Sequence, residues 1–598
     1  MLLSVICCSL YWRSHWFEHG CACPVIHEEC SAELAIFASN CAVDGQAPSE
    51  QPNVLVTSPV SPLSGKQPCN HPSIPTEIAF DPCSGKLLHD NSIHQCCSNL
   101  HSIGPQRSKT TNPDADTLMD ELMTLISVES MLSSGDLETE MDKAALDKKV
   151  EEDFIKNIRF IESEGRYEIT LPMRPDMPPP GNNKRQVLAI MYAVERELLK
   201  DEEKVKQYNS VILDLMERGV LEEIPRDEWS DRQPKHPFSF VSHRPVYRES
   251  VSTPCRIVVN CSLKNSVDKC SFNDRMYTGP NLLQQCPDLL LRASMYDDIL
   301  VGDISKMFHM IKIKKEQRDY SRIVWRFCDR SVEPKELRFP CVAFGLKPGP
   351  FIAGCTLNHH AERHKEEFPA VYKTVLRDTY MDDVMREVKN VEHGLKGFHD
   401  VNQMLAKGGF NATKFFSSNR KLMGKLPQDL VIPEAESGLK FLGQSYDAQK
   451  DKWFYDTRNF TKDLSKMKLS KRVVLSITQS LFDPRGMLNP IKLPFKFFLH
   501  ELWTKEYKWD TPLESKYVER FTSLFEGGDL LRNFEFKRRL CDFPRDEIDR
   551  VEIHLFSDGS KKAISANAYA VFHAKDGKAC SSLLMTHDKM APSKKGKR

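Results

Sequence analysis

The chain has 598 residues, with 83 Lys and Arg against 83 Asp and Glu and a formal net charge of +0. That balance argues against a histone-like or polybasic binder, while leaving room for a local basic groove along a phosphate backbone. No apolar run approaches the roughly 18 residues of a membrane span, and the length suggests about three or four domains.

The first twelve residues are apolar but short. They lack a basic start and are followed by Arg13, His15, Trp16 and His19, so they read as neither signal peptide nor anchor. Ten of the 19 cysteines fall in the first hundred residues. Cys21, Cys23, His27 and Cys30 invite a zinc reading, but their spacing matches no finger or knuckle. Residues 45–115 are rich in Pro, Ser, Asn and Gln. Residues 1–115 therefore read as a low-order, Cys-rich leader and linker.

Residues 116–155 mix acids and lysines with Leu and Met at helical spacing. Pro172, Pro175 and Pro178 to Pro180 then break the chain. Between 185 and 217 the apolar spacing predicts two helices, one through Leu188 and Leu198, the next through Val211 and Leu215, with Gly219 as a C-terminal cap. Arg256 to Asn260 predicts a short strand.

Ile299 to Gly302 reads as a buried strand that ends in an acid, Asp303. Residues 371–387 are expected to add strands to the same sheet, with Tyr380-Met381-Asp382-Asp383 on a tight turn between two of them. Adjacent carboxylates repel, and a cation between them relieves the cost. Hard oxygen ligands of this kind suit Mg²⁺. Three carboxylates from two strands can hold two such ions roughly 3.5–4 Å apart, as in-line phosphoryl transfer requires. Val391, Leu395, Phe398, Val401 and Leu405 form one helical stripe, ended by Gly408-Gly409. Residues 461–504 read as mostly helical, with Pro484 and Pro490 as stops.

These segments resemble a known family. Asp303 to Phe308 and Tyr380 to Asp383 are similar to motifs A and C of reverse transcriptases. Between them Ala343 to Phe351 resembles motif B. Gly408 to Lys414 and then Phe441-Leu442-Gly443 resemble motifs D and E, in polymerase order. Leu171-Pro172-Met173, Tyr208, Glu217 to Val220, Arg256 to Asn260, Asn273-Asp274 and Gly279 to Leu283 narrow the resemblance to Pao/BEL-type retrotransposon polyproteins, as does Leu481 to Pro490. The resemblance covers roughly residues 115–598.

It implies an α+β right-hand polymerase fold of fingers, palm and thumb, followed by a partial ribonuclease H-like α/β region. The expected organisation is a helical approach and start of fingers at 116–235, fingers and palm at 236–455, a helical thumb or connector at 456–545, and a truncated ribonuclease H-like region at 546–598. It implies an RNA-directed DNA polymerase that uses Mg²⁺ or Mn²⁺, an RNA template, a DNA primer and dNTPs. Localisation would be cytoplasmic, in virus-like particles, or nuclear, and no membrane partner is expected. The implied catalytic residues are Asp303, Asp382 and Asp383, with Ile304 joining them as metal ligands. The implied nucleotide-binding residues are Arg256, which would reach the triphosphate, Phe308, a flat ring that leaves no volume for a 2′-hydroxyl, Gly345 and Lys414. Where the family often carries Gln before the first motif B glycine, this chain has Phe344.

His554 to Ser560 resembles the first strand of a ribonuclease H fold, with Asp558 as its first metal carboxylate. Only Asp576 and Asp588 follow, in polar, Lys-rich surroundings that suggest no strand aimed back at Asp558. Ribonuclease H activity is expected to be absent, and this region less ordered than the palm. No aspartic protease motif occurs. Two other readings are a catalytically unused remnant that binds nucleic acid or a partner, and an RNA-dependent RNA polymerase. Phe308 speaks against the latter, for which a small residue would be expected.

Overall fold

Residues 298–304 form a strand whose two faces are both covered by apolar side chains. The computed structural model describes residues 137–591, apart from 233–235, 248–253, 267, 434–438, 459, 461–463, 465–466 and 526–527. In a separate unit, residues 1–114, it describes two three-residue strands, Ala79–Asp81 and Lys86–Leu88, paired antiparallel. The Cys21, Cys23, His27 and Cys30 cluster lies outside the described residues.

The second unit begins with α1 (Leu137–Lys156) and continues with α2 (Lys184–Leu198) and α3 (Glu202–Glu217). α2 and α3 match the expected pair. α2 buries Val187, Met191 and Leu198, and α3 buries Tyr208, Ile212 and Leu215, each a single stripe. Asp201 caps α3 by accepting from the Lys204 N–H. Gly219, with φ of 65°, follows its end as predicted. A hairpin of β1 (Ser242–Tyr247) and β2 (Cys255–Asn260) packs nearby, with Val246 opposite Arg256.

α4 (Cys286–Met295) leads into β3 (Asp298–Ile304). After α5 (Gly349–Arg363) and α6 (Pro369–Arg377) comes the hairpin of β4 (Thr379–Tyr380) and β5 (Asp383–Val388). α7 (Val391–Ala406) carries the predicted stripe, and β6 (Ala412–Ser417) closes the sheet in the order β4-β5-β3-β6. Both faces of β3 are covered. Leu300 and Ile304 enter one core, and Ile299 and Val301 enter a second with Met385, Phe416 and Trp453. A strand buried on both faces reads as a continuous apolar run, which is why 299–302 was legible.

Residues 371–377 do not join this sheet, contrary to expectation. Pro369 starts a helix there, and Val371, Thr374 and Val375 are its buried positions. Three- and four-residue spacing outweighs the β-branched composition. Beyond the sheet lie β7 (Leu439–Phe441), β8 (Gln444–Asp447) and β9 (Lys452–Phe454), then α8 (Lys471–Thr478), α9 (Asn489–Thr504) and α10 (Ser515–Ser523). Pro490 opens α9 instead of stopping a helix, because proline at the first turn gives up no hydrogen bond. Among the described residues no helix is long and apolar enough to cross a membrane.

β10 (Glu535–Lys537) is followed by an arm, residues 538–545, that joins the front of the unit to its end. Arg538 is fully buried. Its guanidinium donates to the carbonyls of Ala293, Tyr296 and Asp297 and forks onto the Asp451 carboxylate. It thus satisfies carbonyls where α4 ends and β3 begins. Arg545 pairs with Glu387 of β5 at 2.7 Å. The arm leads to β11 (Ile548–Gly559), β12 (Ala563–Ala574) and β13 (Ala579–Met590), an antiparallel sheet of three 12-residue strands. The region expected to be truncated thus contains a regular three-stranded sheet. Ala568, Ala570, Phe572 and Leu584 close a small core against Leu291 of α4.

Two buried tyrosine–histidine pairs hold the core and carry a pH expectation. Tyr208 Oη lies 2.6 Å from His243 Nδ1, and His243 Nε2 lies 3.1 Å from the Val324 carbonyl. Tyr167, His360 and the Met404 carbonyl repeat the arrangement. A carbonyl only accepts, so each Nε2 carries the hydrogen and each Nδ1 accepts from the phenol. Burial pushes both imidazoles from 6.5 down to about 4. The unfolded chain takes up these protons near pH 6.5 and the folded chain only near 4. The stability held by the neutral rings is whole above 6.5 and is lost as pH falls toward 4. The melting temperature is expected to drop across that window, and a flat profile there in thermal melts would count against these two pairs.

Candidate active site

The turn of the β4–β5 hairpin is two residues long, Met381 and Asp382, with Tyr380 opposite Asp383. Met381 has φ of 54°. Two-residue hairpin turns need positive φ, which a side chain other than that of Gly, Asn or Asp rarely adopts. Holding a methionine there stores backbone strain at the residue that aims Asp382.

β5 and β3 place Asp383 directly opposite Asp303. The Ile304 N–H donates to the Asp382 carbonyl at 2.7 Å. That bond brackets the pair from outside, so Asp303 and Asp383 form a non-hydrogen-bonded pair. Such pairs bring the Cα atoms to about 4.5 Å and the side chains closest together. Both carboxylates leave the same face. On the other side of β3, Thr413 stands opposite Asp303, and a register shift between Thr413 and Phe416 swings Lys414 out with φ of 53°. Lys414 Nζ lies 3.6 Å from Asp303 Oδ2. Gly302 admits this sheet to its neighbour, since a Cβ there would lie 2.5 Å from the Phe415 ring.

Like charges in one row raise each other. Burial, then Asp382 and Asp303, push Asp383 up to about 7. Burial and Asp303 also raise Asp382. A dication would relieve this repulsion, and carboxylate oxygens are the ligands Mg²⁺ and Mn²⁺ prefer. Among the described residues no three His, Cys, Asp or Glu side chains close into a ready metal cage. The acids are aligned but not converged, as mutually repelling carboxylates with Lys414 drawn to one of them should be. Donor type, register and repulsion fit the ions. Ile304 is fully buried and apolar and its N–H is engaged, so it can serve a metal only through its carbonyl oxygen.

Phe308 lies in a single helical turn, Met307–Met310. Its ring packs at 5.1 Å on Phe344, which is 50% exposed, and a Cβ on Gly349 would approach it to 3.2 Å. Gly345 has φ of 106°, and a Cβ there would meet the Val259 carbonyl at 2.5 Å. Only glycine allows this loop to lie so close to β2, the strand that carries Arg256. Arg256 is an exposed residue of β2, three residues from that contact.

Asn273, part of the family resemblance, has a role that only the fold reveals. Its amide donates to the Gly345 carbonyl at 3.0 Å and to Ser262 Oγ at 2.9 Å, and its carbonyl oxygen accepts from the Lys347 N–H at 2.8 Å. It clamps both ends of the loop between them. A polar residue far from Gly345 in sequence gives no periodic signal of such a clamp.

Asp558 belongs to a different sheet. It stands on β11 opposite Ser565, which stands opposite Asp588 on β13. Asp588 therefore does lie on a strand in the row of Asp558, contrary to expectation, and it accepts from Ser565 Oγ at 2.8 Å. The polar run Thr586 to Lys589 around it hides the period from a hydropathy reading. Two ladder spacings separate the acids by about 9–10 Å, too far to share ions roughly 4 Å apart. Incubation with an RNA–DNA hybrid and Mg²⁺ or Mn²⁺ is expected to leave the RNA strand intact. Cleavage lost in Asp558→Asn but kept in Asp382→Asn would overturn that.

A family model described as the Pao retrotransposon-like RNaseH-like domain matches residues 470–597, from the start of α8 through β13. No curated protein matches the chain. The match supports a Pao/BEL retrotransposon protein, and it lies wholly beyond the sheet that carries Asp303, Asp382 and Asp383.

Proposed function

We propose that this retrotransposon-derived chain is an RNA-directed DNA polymerase of the right-hand type, which adds nucleotides from dNTPs to a primer 3′-hydroxyl on an RNA template. The observation that carries the reading is the direct register of Asp303 with Asp383, beside Asp382 on a strained hairpin turn. When bound, two Mg²⁺ or Mn²⁺ ions supply Lewis acidity to the attacking and leaving oxygens. Asp303, Asp382 and Asp383 would hold them, with the Ile304 carbonyl beside them. The primer oxygen forms its bond to the α-phosphorus as the bond to pyrophosphate breaks, and the hydroxyl proton passes to solvent. In this reading Lys414, whose Nζ lies 3.6 Å from Asp303 Oδ2, would protonate the leaving pyrophosphate. Arg256 offers a planar fork to the triphosphate. The Gly345 loop, held by Asn273, brings backbone close to the base pair. Action in the cytoplasm, in virus-like particles, or in the nucleus follows from this reading.

Phe308 is the sugar gate in this reading, with its ring held against Phe344. Primer extension by the purified chain on RNA and DNA templates tests the activity, and nucleotide choice tests the gate. Phe308→Ala is expected to raise ribonucleotide incorporation relative to dNTPs by roughly 10-fold or more, since about 1.4 kcal/mol of lost exclusion is a factor of 10. An unchanged ratio would remove Phe308 from the role.

One observation favours a second reading, a catalytically unused remnant that binds nucleic acid. Lys414 is paired with Asp303, a carboxylate that a metal would need. Template binding without extension in either metal would decide for the remnant.

A further inference from the structure

Away from the carboxylates, two thiols lie in contact. Cys541 Sγ and Cys580 Sγ are 3.3 Å apart, across 39 residues of sequence. Cys541 is buried and Cys580 half-buried. The gap is set by backbone. One residue before Cys541, the Leu540 N–H donates to the Ser294 carbonyl at 2.9 Å, tying the arm to α4. The Leu540 carbonyl accepts from Ser582 Oγ, tying it to β13. Cys580 itself is held in the ladder opposite Phe572. Two sulfurs so fixed need only small side-chain rotations to reach the bonding distance of about 2.05 Å.

We propose that Cys541 and Cys580 form a modification site for low-molecular-weight disulfides of the glutathione type, which convert the pair into an intramolecular disulfide joining the arm to β13. The more exposed Cys580 reacts first. Its thiolate attacks one sulfur of the small disulfide, that S–S bond breaks, and one small thiol leaves with a proton. The Cys541 sulfur then attacks the Cys580 sulfur, a second small thiol leaves, and the Cys541 proton goes with it. Two protein thiols are oxidised and one small disulfide is reduced to two thiols. Burial pushes the Cys541 thiol up to about 12, so few thiolates are present and the closing step is slow. The pair answers sustained, not brief, oxidation. Closure pins the C-terminal sheet to the arm that carries Arg538 and Arg545.

The test needs no polymerase activity, so its outcome is independent of the proposed function. The full purified chain is equilibrated in reduced and oxidised glutathione at a series of ratios, quenched, alkylated and digested without reduction. The expected result is a linked peptide pair containing Cys541 and Cys580, which grows over hours toward the oxidising end. In Cys541→Ser, Cys580 is expected to accumulate as a mixed disulfide with glutathione. Cys541→Ala serves if the serine variant does not fold. In Cys580→Ser, Cys541 is expected to stay unmodified at the same ratios. Absence of the linked pair at the most oxidising ratio, or preferential pairing of Cys580 with another cysteine, would overturn the proposal.

Discussion

Asp382→Asn is expected to abolish primer extension, with a loss of three orders of magnitude or more, roughly 4 kcal/mol of transition-state stabilisation, while template binding stays close to that of the parent chain. The amide keeps the volume and the turn but removes a charge. In the proposed two-metal reading, one fewer anion would leave the pair of dications under-neutralised and their separation unset. The same change lightens the repulsion on Asp383, whose carboxyl is held at about 7 partly by Asp382. The variant is therefore expected to fold at least as stably as the parent in metal-free buffer. Extension rate, gel-shift affinity and melting temperature together check this. Extension that survives, with binding and stability unchanged, would take Asp382 out of the chemistry.

The second large effect falls on stability. Arg538→Ala is expected to cost about 3–5 kcal/mol, the usual result of removing one partner from a buried charged network. Three carbonyls at the end of α4 and the Asp451 carboxylate would lose their donors together. Arg538→Lys keeps the charge but cannot reproduce a planar fork that reaches four groups, so it should recover only part of the loss. Denaturant midpoints for the three proteins read this directly. A loss under about 1 kcal/mol for the alanine variant, within the range of an exposed pair, would show that water replaces the guanidinium without difficulty.

What the sequence made legible was local and periodic. The apolar run at 299–302, the stripes of α2, α3 and α7, and the cap at Gly219 each follow from spacing within a few residues. The acidic residues were also legible, because adjacent carboxylates are costly without a cation. What stayed hidden depended on pairing between distant segments. The opposition of Asp303 to Asp383, the hold of Asn273 on Gly345, and the reach of Arg538 back to Ala293 are long-range facts with no local pattern. Residues 371–377 misled because β-branched composition suggested a strand where Pro369 and a helical period prevailed. The strand placement of Asp588 was hidden because the stretch Thr586 to Lys589 around it is polar throughout, leaving hydropathy no alternation to detect there.

The pairing of Asp303 with Asp383 also bears on how this gene can drift. β3 is held on both edges, by β5 and by β6, so its parity is counted from two sides at once. A single codon inserted or deleted between Asp298 and Asp303 would turn the acid to the opposite face and exchange the two cores that meet across the strand. Point changes there cost packing, whereas length changes cost orientation, and no nearby compensation short of a second indel in the same seven residues restores it. Surface connections elsewhere in the chain can lengthen at small entropic cost. Related copies of this chain are therefore expected to vary in length in surface connections and to keep the length of this strand fixed.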